Sequence, residues 1–254
     1  MTYENILGII PARYGSTRFP GKPLVDIGGK PMIQRVYEQS LKALEHVYVA
    51  TDDKRIEEAV LKFGGKVVMT SPEHQSGTDR CAEALNLVEQ LTKRTFEFVI
   101  NIQGDEPFID PQLLQMLSVC FMNSFTEIAT LVKPLSRNED LFDANKPKVV
   151  FNSKYEAIYF SRHPIPFLRN FPQEEWSNRH KYYLHIGLYG YRSDVLREIT
   201  MLTPSSLELA ESLEQLRWLE NGYTISVRVA EHDSFSVDTP EDLDRINKYF
   251  SMDN

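Results

Sequence analysis

Cysteine is nearly absent from this chain. There are 2 in 254 residues, Cys81 and Cys120, and neither belongs to a CxxC pair. No disulfide framework is implied, and two thiols in helical patterns read as buried structural groups in a reducing compartment. Positive charge is also short, with 28 Lys and Arg against 36 Asp and Glu and a net charge of -8. That balance argues against a nucleic-acid or anionic-membrane binder, which needs a broad basic face, so any anionic ligand must be held by local cations. Long apolar runs are missing as well. The first, residues 6–10, stops before Arg13, and Met1-Thr2-Tyr3-Glu4-Asn5 carries no basic leader. The expectation is neither signal peptide nor membrane insertion, and a cytoplasmic protein. No internal repeat, low-complexity tract or obvious interdomain linker is visible. What is present, 42% hydrophobic and 25% charged residues, is enough to bury a full core as one domain or as one domain with a lobe.

The local cations are concentrated early. Pro11-Ala12-Arg13-Tyr14-Gly15-Ser16-Thr17-Arg18-Phe19-Pro20-Gly21-Lys22-Pro23 follows the apolar run. Glycines let a backbone approach a ligand, and Arg13, Arg18 and Lys22 can neutralise phosphate oxygens, so the loop suits a triphosphate. Taken alone, it is equally a solvated basic loop.

The first half of the chain alternates strand and helix. Strands are expected at 6–10, 47–50, 66–69 and 98–102. Helices are expected at 32–44, from a cap at Asp52 or Asp53 through 63, at 78–91 and at 111–121. This βαβα pattern predicts an α/β fold with a mostly parallel central sheet and flanking helices. Ligands then sit beyond the carboxyl ends of the strands. The 13–22 loop, the loop at Asp52, the 71–77 loop and the 103–107 loop all fall on that edge. The second half reads differently: strands at 128–132, 149–151, 157–160, 184–191 and 225–229, a long irregular stretch at 161–182, an amphipathic helix at 208–219, and a final helix after Thr239-Pro240. It is expected to form a smaller lobe.

Several polar residues are candidates, each with a plainer alternative. Asp105, in Asn101-Ile102-Gln103-Gly104-Asp105-Glu106-Pro107, directly follows a buried strand and suits a hard cation such as Mg²⁺. Asp238, in Ser236-Val237-Asp238-Thr239-Pro240-Glu241-Asp242, is a second such acid, or an acid beside a Thr239 helix cap. His74-Gln75-Ser76-Gly77-Thr78-Asp79-Arg80 opens a helix whose N–H groups and polar side chains suit a base or ribose, or form a cap and nothing more. His185, Gly187, Tyr189 and Tyr191 share a strand face at period two, a sugar-pocket lining or a polar sheet face. Arg162 after a strand suits a carboxylate, or a surface ion pair.

Together these segments carry a resemblance. The stretch 9–24, the run His74 to Arg80, the run Asn101 to Pro107, Tyr159-Phe160-Ser161-Arg162, the run His185 to Arg192, Leu213-Glu214-Gln215-Leu216-Arg217 and the run Val237 to Asp242 resemble, in order, the 3-deoxy-manno-octulosonate cytidylyltransferase family. The resemblance implies a single nucleotidyltransferase domain over 1–254 with the Rossmann-like nucleotide-diphospho-sugar transferase fold. Residues 1–133 would mainly bind nucleotide, 134–230 would be mainly a sugar-binding and dimer lobe, and 231–254 a C-terminal helix region. It implies transfer of CMP from CTP to the anomeric hydroxyl of 3-deoxy-D-manno-octulosonate (Kdo), with release of pyrophosphate, for lipopolysaccharide biosynthesis, with magnesium and as a homodimer. It places nucleotide contacts on Ala12, Arg13, Arg18, Lys22, Ser76 and Arg80, with Gln103 nearby. It places sugar contacts on Arg162, His185, Tyr189, Glu214 and Gln215, and magnesium on Asp105 and Asp238. Arg18, Lys22, Asp105 and Asp238 would be the catalytic set.

These residue types match the chemistry. Both substrates are anions, so cations must offset their repulsion, and Arg18 and Lys22 would neutralise the leaving pyrophosphate. A metal held by both aspartates would also bind the sugar carboxylate and hydroxyl. Three other readings remain at this point: a CMP-sialate-type cytidylyltransferase acting on another 2-keto acid sugar, a glycosyltransferase of similar fold, and an inactive nucleotide sensor. A glycosyltransferase would normally show Asp-x-Asp where Asp105-Glu106-Pro107 stands. An inactive sensor would have lost some of the charged residues.

Overall fold

The structure is a computed structural model and describes residues 3–15, 19–135, 137–231, 237, 239 and 241–243. Arg18 and Asp238 therefore lie outside the described residues. The chain forms two compact units, Met1–Ser118 with Ser234–Asn254, and Val119–Asp233.

The first unit is built on four parallel strands. They are β1 (Ile6–Ala12), β4 (His46–Thr51), β5 (Val67–Met69) and β6 (Phe98–Asn101); a short hairpin, β2 (Asp26–Ile27) and β3 (Lys30–Pro31), stands apart. β1 pairs in parallel with β4 on one side and β6 on the other, and β4 pairs with β5. The chain thus leaves β1 in one direction and returns on its other side, which makes the carboxyl end of β1 a topological switch point. β1, β4 and β6 are nearly continuous runs of buried residues, as a sheet covered on both faces requires, whereas β5 buries only Val68. The helices are α1 (Met32–Ser40), α2 (Lys54–Lys62), α3 (Gly77–Thr92) and α4 (Pro111–Cys120). α1 buries Met32, Ile33 and Val36, α2 buries Ile56 and Val60, and α3 buries Cys81, Ala84, Leu85 and Val88. α1 stops at Ser40, earlier than the spacing to Leu44 implies. The next residues turn instead, with Ala43 and Leu44 N–H groups both donating to the Ser40 carbonyl.

The second unit has a mixed sheet. Its strands are β7 (Ile128–Pro134), β8 (Lys148–Phe151), β9 (Ala157–Ser161), β10 (Tyr183–Arg192) and β11 (Ile225–Val229). β10 runs antiparallel to β7 and β8, β8 antiparallel to β9, and β11 parallel to β7. Its helices are α5 (Asn138–Phe142), α6 (Trp176–Arg179), α7 (Ser193–Ile199), α8 (Ser206–Glu211) and α9 (Gln215–Glu220). α5 and α7 are too short to show a helical period in the sequence. The stretch expected as one irregular segment contains α6, whose Trp176 packs with Leu141 and Tyr182 in a satellite core.

The single helix expected at 208–219 is instead two. Ser212 adopts the left-handed conformation at φ 51° and ends α8. Arg217 donates to Glu208 through both Nε and Nη2 at 2.6 Å. Nine residues would separate such a pair by about 13.5 Å along a straight helix, so the pair itself requires the fold-back. Amphipathic spacing survives such a break, which is why the sequence hides it.

Cys81 is buried and Cys120 half-buried, and neither is in a disulfide. Among the described residues, no helix is long and apolar enough to cross a membrane.

Candidate active site

At the switch point of the first unit lies a cavity of about 280 Å³. β1 supplies Pro11 and Ala12, and the following loop supplies Arg13, Lys22 and Pro23. The start of α3 supplies His74, Gln75, Ser76, Gly77 and Arg80, and the turn after β6 supplies Gln103, Gly104 and Asp105. The structure thus gathers Ala12, Arg13, Lys22, Ser76, Arg80, Gln103 and Asp105 around one space. Together they combine cations, one carboxylate and a helix N-terminus, the groups an anionic nucleotide with a divalent ion requires.

Local structure explains each placement. Gly21 has φ +73°, and a Cβ there would sit about 3.1 Å from the Tyr14 ring. Its N–H donates to the Tyr14 carbonyl, which folds the loop back and turns Lys22 inward. Lys22 Nζ lies 2.7 Å from Asp105 Oδ2. Tyr14 in turn lies under the Arg55 guanidinium, 3.3 Å from ring centroid to Cζ. Arg13 is exposed. Gly104 brings its turn against β1, since a Cβ there would be 3.0 Å from the Pro11 carbonyl oxygen.

Ser76 is the N-cap of α3. Its hydroxyl accepts from Asp79 N–H while the Asp79 carboxylate accepts from Ser76 N–H. The cap is therefore real, and it also holds the N-terminal turn of α3 against the cavity. Arg80, one turn on, is 4% exposed and donates to Thr70 and Asp52. The two acids after β4 divide the work, because Asp53 caps α2 by accepting from Arg55 N–H.

One residue beside the site, Glu83, carries no mark in the sequence pattern. The His74 Nε2 contacts Glu83, which also accepts from Ser71 N–H at 2.8 Å. Burial alone would raise the Glu83 carboxyl, but the Ser71 N–H, the His74 hydrogen bond and nearby positive charge more than offset it, so its pKa falls below the usual range. The sequence places Asp52 in a loop on the ligand edge and offers it as a possible cap, and the structure leaves the cap to Asp53 and turns Asp52 to Arg80. The position of Asp52 straight after an apolar strand is the same signal that picked out Asp105.

Val237 N–H donates to the Asp105 carbonyl at 2.9 Å. Thr239 Oγ1 accepts from Asp242 N–H, while the Asp242 carboxylate accepts from Thr239 N–H. That is the cap expected beside Asp238.

The second unit holds the five residues assigned to sugar. His185 and Tyr189 lie ring to ring at 5.2 Å, and the Tyr189 ring meets Trp218 edge to face at 5.0 Å. The expected period-two face is interrupted, because pairing with β7 is irregular between Ile186 and Tyr189. Thr130 Oγ1 sits 3.0 Å from His185 Nε2 and 2.8 Å from the Leu188 carbonyl. A hydroxyl has one hydrogen, so donation to Leu188 leaves it accepting from Nε2–H, which places a ring proton on Nε2. Burial pushes the His185 pKa down to about 3. Burial, with the Tyr191 phenol and the Glu214 charge, pushes the Tyr189 phenol well above its usual value.

Glu214 precedes α9, and Gln215 opens it with 5% exposure. Among the described residues, nothing lies in hydrogen-bond range of Gln215 Nε2. An orphaned buried amide costs about 1–3 kcal/mol, so an acceptor from a water or a ligand would stabilise it.

Arg162 makes three hydrogen bonds to carbonyls of its own unit. Its Nε donates to the Glu211 carbonyl, Nη1 to Ala144 and Nη2 to Ser212. Glu211 also accepts from Ser161 Oγ at 2.6 Å and from Arg162 N–H at 2.9 Å. Beside it Lys148 is fully buried, donating to the Asp143 and Arg162 carbonyls. These contacts tie the end of β9 to the turn at Ser212, immediately before Glu214 and Gln215. They also show why the helix breaks, since Arg162 takes two carbonyls a continuous helix would keep.

Comparison with known proteins shows the family and the fold. The sequence profile of a family described as cytidylyltransferase matches residues 7–226. The chain is 58% identical over 249 residues to the 3-deoxy-manno-octulosonate cytidylyltransferase of Phocaeicola vulgatus, covering 97% of each chain. It is 57% identical over 243 residues to that of Parabacteroides distasonis, covering 94% of this chain and 95% of that one. A solved CMP:2-keto-3-deoxy-manno-octonic acid synthetase complexed with CTP superposes with TM-score 0.87 at 42% identity, covering 98% of this chain and 99% of that one. A 4-diphosphocytidyl-2C-methyl-D-erythritol synthase from Anaerococcus prevotii, at 14% identity and TM-score 0.62, shares the fold.

Proposed function

This chain belongs to the 3-deoxy-manno-octulosonate cytidylyltransferase family, and from that premise we propose that it transfers CMP from CTP to Kdo. The anomeric oxygen of Kdo attacks the α-phosphorus, the bond to the β-phosphate oxygen breaks, and pyrophosphate leaves. The product serves lipopolysaccharide biosynthesis, as the name of its relatives implies. The observation that carries the reading is the first unit's cavity, where Lys22, Arg13, Arg80, the N-terminus of α3 and Asp105 converge at the switch point.

In this reading Arg13, Arg18 and Lys22 neutralise the triphosphate. Lys22 exchanges its bond to Asp105 for phosphate oxygens, which offsets the repulsion between two anionic substrates. Ala12, Ser76 and Arg80 hold the cytidine, with Gln103 beside them. Glu214, Gln215, His185 and Tyr189 bind the sugar. The buried Gln215 amide supports this as a donor to a hydroxyl, and a neutral His185 as a hydrogen-bond partner without charge. Arg162 supports the same set by holding the turn that precedes Glu214.

Magnesium would be held by Asp105 and Asp238. The donor set fits a hard cation, since both are carboxylates, and Val237 bonded to Asp105 brings the residue preceding Asp238 to the same turn. Bound there, the ion would supply charge neutralisation at the phosphate oxygens and to the attacking hydroxyl. We also propose a homodimer working in the cytoplasm. Exposed apolar side chains of the second unit, such as Ile158, Phe167 and Leu209, supply area for a partner copy, and sedimentation equilibrium would test it.

One assay decides the activity: pyrophosphate release from CTP and magnesium with Kdo or N-acetylneuraminate as acceptor. Release with Kdo alone is the expected result. Release only with the sialic acid, or with neither, overturns the assignment.

A further inference from the structure

Arg80 is a buried cation in the cavity wall, and its fork is pinned from behind. Nη1 donates to Thr70 Oγ1 at 2.6 Å, and Nη2 donates to Asp52 Oδ2 at 3.0 Å. Both partners stand just past the carboxyl ends of neighbouring strands, Asp52 after β4 and Thr70 after β5. Thr70 N–H continues that pairing by donating to the Thr51 carbonyl at 2.8 Å. The Arg80 helix is locked at its start by the Ser76–Asp79 box. Four separate elements of local structure thus fix the plane of one guanidinium.

A guanidinium has five N–H groups and no acceptor. With Thr70 and Asp52 engaging one N–H from each terminal nitrogen, the plane cannot turn without breaking two bonds, one of them a charge-assisted bond in a buried setting. What such a group can present to a ligand is donors alone. Cytosine offers side by side a carbonyl oxygen, O2, and an unprotonated ring nitrogen, N3. Uracil offers the same oxygen beside an N3–H. Against a fixed donor edge, cytosine pairs twice, whereas uracil sets donor against donor. A guanidinium free to swing would lose this distinction, because it could turn to either uracil carbonyl.

We propose that Asp52 and Thr70 are positioning residues for nucleobase selection: they hold Arg80 so that its donor edge accepts cytosine and rejects uracil. This rests on the reading of the cavity as a CTP site. It assigns Asp52 a task apart from Asp53, which caps α2, and apart from the acids proposed for magnesium.

The test uses the full chain with magnesium and compares CTP with UTP, by calorimetric binding and by pyrophosphate release with Kdo. Asp52→Asn keeps size and a weaker acceptor, and Thr70→Val keeps size and removes the hydroxyl. In Asp52→Asn the CTP preference, as a ratio of kcat/KM values, should fall about tenfold or more, the scale of a lost hydrogen bond to a charged group. The loss should lie in the KM for CTP, with the KM for Kdo and the saturated kcat within about twofold. Thr70→Val should show a smaller fall in the same direction, and it decides the matter if Asp52→Asn does not fold. An unchanged CTP to UTP ratio in the folded variants, or equal losses for both nucleotides, overturns the proposal. A wild-type protein that binds CTP over UTP yet transfers nothing to Kdo would fail the assigned activity while the binding ratios still test this inference. A wild type that binds neither nucleotide overturns both.

Discussion

The backbone N–H of Val237 donates to the carbonyl oxygen of Asp105 at 2.9 Å. The chain therefore returns from its last segment to the turn after β6, and the residue that follows Val237 is Asp238. If the two acids share a divalent ion, removing one charge should strike the chemical step rather than nucleotide affinity. Asp238→Asn is expected to lower kcat about 100-fold or more, with the CTP dissociation constant, measured calorimetrically, within a few-fold of wild type. Near-normal turnover would discard the metal role.

The ion pair between Lys22 Nζ and Asp105 Oδ2, at 2.7 Å, predicts coupling. Lys22→Ala and Asp105→Asn should each reduce kcat/KM for CTP by on the order of 100-fold. Because each residue holds the other in the unliganded cavity, the double variant should lose far less than the product of the two. Steady-state kinetics on the four proteins gives the coupling directly, and full multiplicativity would show that the pair acts independently.

How much of this was legible beforehand divides along the two units. In the first, the parallel strands show as short apolar runs, buried throughout most of β1, β4 and β6, so β1, β4, β5 and β6 and the edge carrying Lys22, Ser76, Arg80 and Asp105 could be placed from local pattern. In the second, the decisive interactions are long-range. Nothing near Ser212 marks a helix break, since its cause is Arg162 fifty residues away in sequence taking the Glu211 and Ser212 carbonyls. Glu211 and Lys148 look like surface residues in the sequence because their partners come from β9 and the 143–144 turn. The strand end marks the loop of Asp52 as part of the ligand edge, but two adjacent acids compete for one cap, and only the fold shows which one turns to Arg80.

His185 predicts an acid-labile contribution to stability. Its folded pKa of about 3 lies below the ordinary value of 6.5. Below pH 6.5 the unfolded chain binds a proton that the folded one refuses, so this contribution is complete above 6.5 and is lost as the pH falls toward 3. His185→Gln should flatten the fall in melting temperature between pH 6.5 and 4. The same depression leaves the imidazole neutral at working pH, so the wild-type pH–rate profile should carry no inflection from it. An inflection between 6 and 7 that His185→Gln abolishes would contradict the neutral assignment.

Glu211 should matter to both stability and sugar use. Burial opposes its charge, but Ser161, the Arg162 N–H and Tyr159 outweigh that and lower its pKa below 4.5. The stabilisation is therefore present above about pH 4.5 and is lost on acidification. Glu211→Ala should cost about 1–3 kcal/mol, read from denaturant unfolding at pH 7, with Glu211→Gln intermediate. Arg162→Ala should raise the KM for Kdo much more than that for CTP, because it frees the turn before Glu214. Equal changes in both constants would remove Arg162 from the sugar side.

Gly104 offers a steric test of the cavity itself. Its φ is not in the left-handed region, so alanine is allowed by backbone conformation alone. The obstacle is the Pro11 carbonyl oxygen, 3.0 Å from where the Cβ would stand. That oxygen belongs to β1, which is hydrogen-bonded on both sides, so the turn carrying Asp105 must move instead. A shift of a few tenths of an ångström is cheap in folding energy but costly where a carboxylate must meet phosphate and metal. Gly104→Ala is expected to keep a melting temperature within a few degrees of wild type and to lose about tenfold in kcat, with a raised magnesium requirement. If activity is unchanged, the contact between this turn and β1 does not set the position of Asp105.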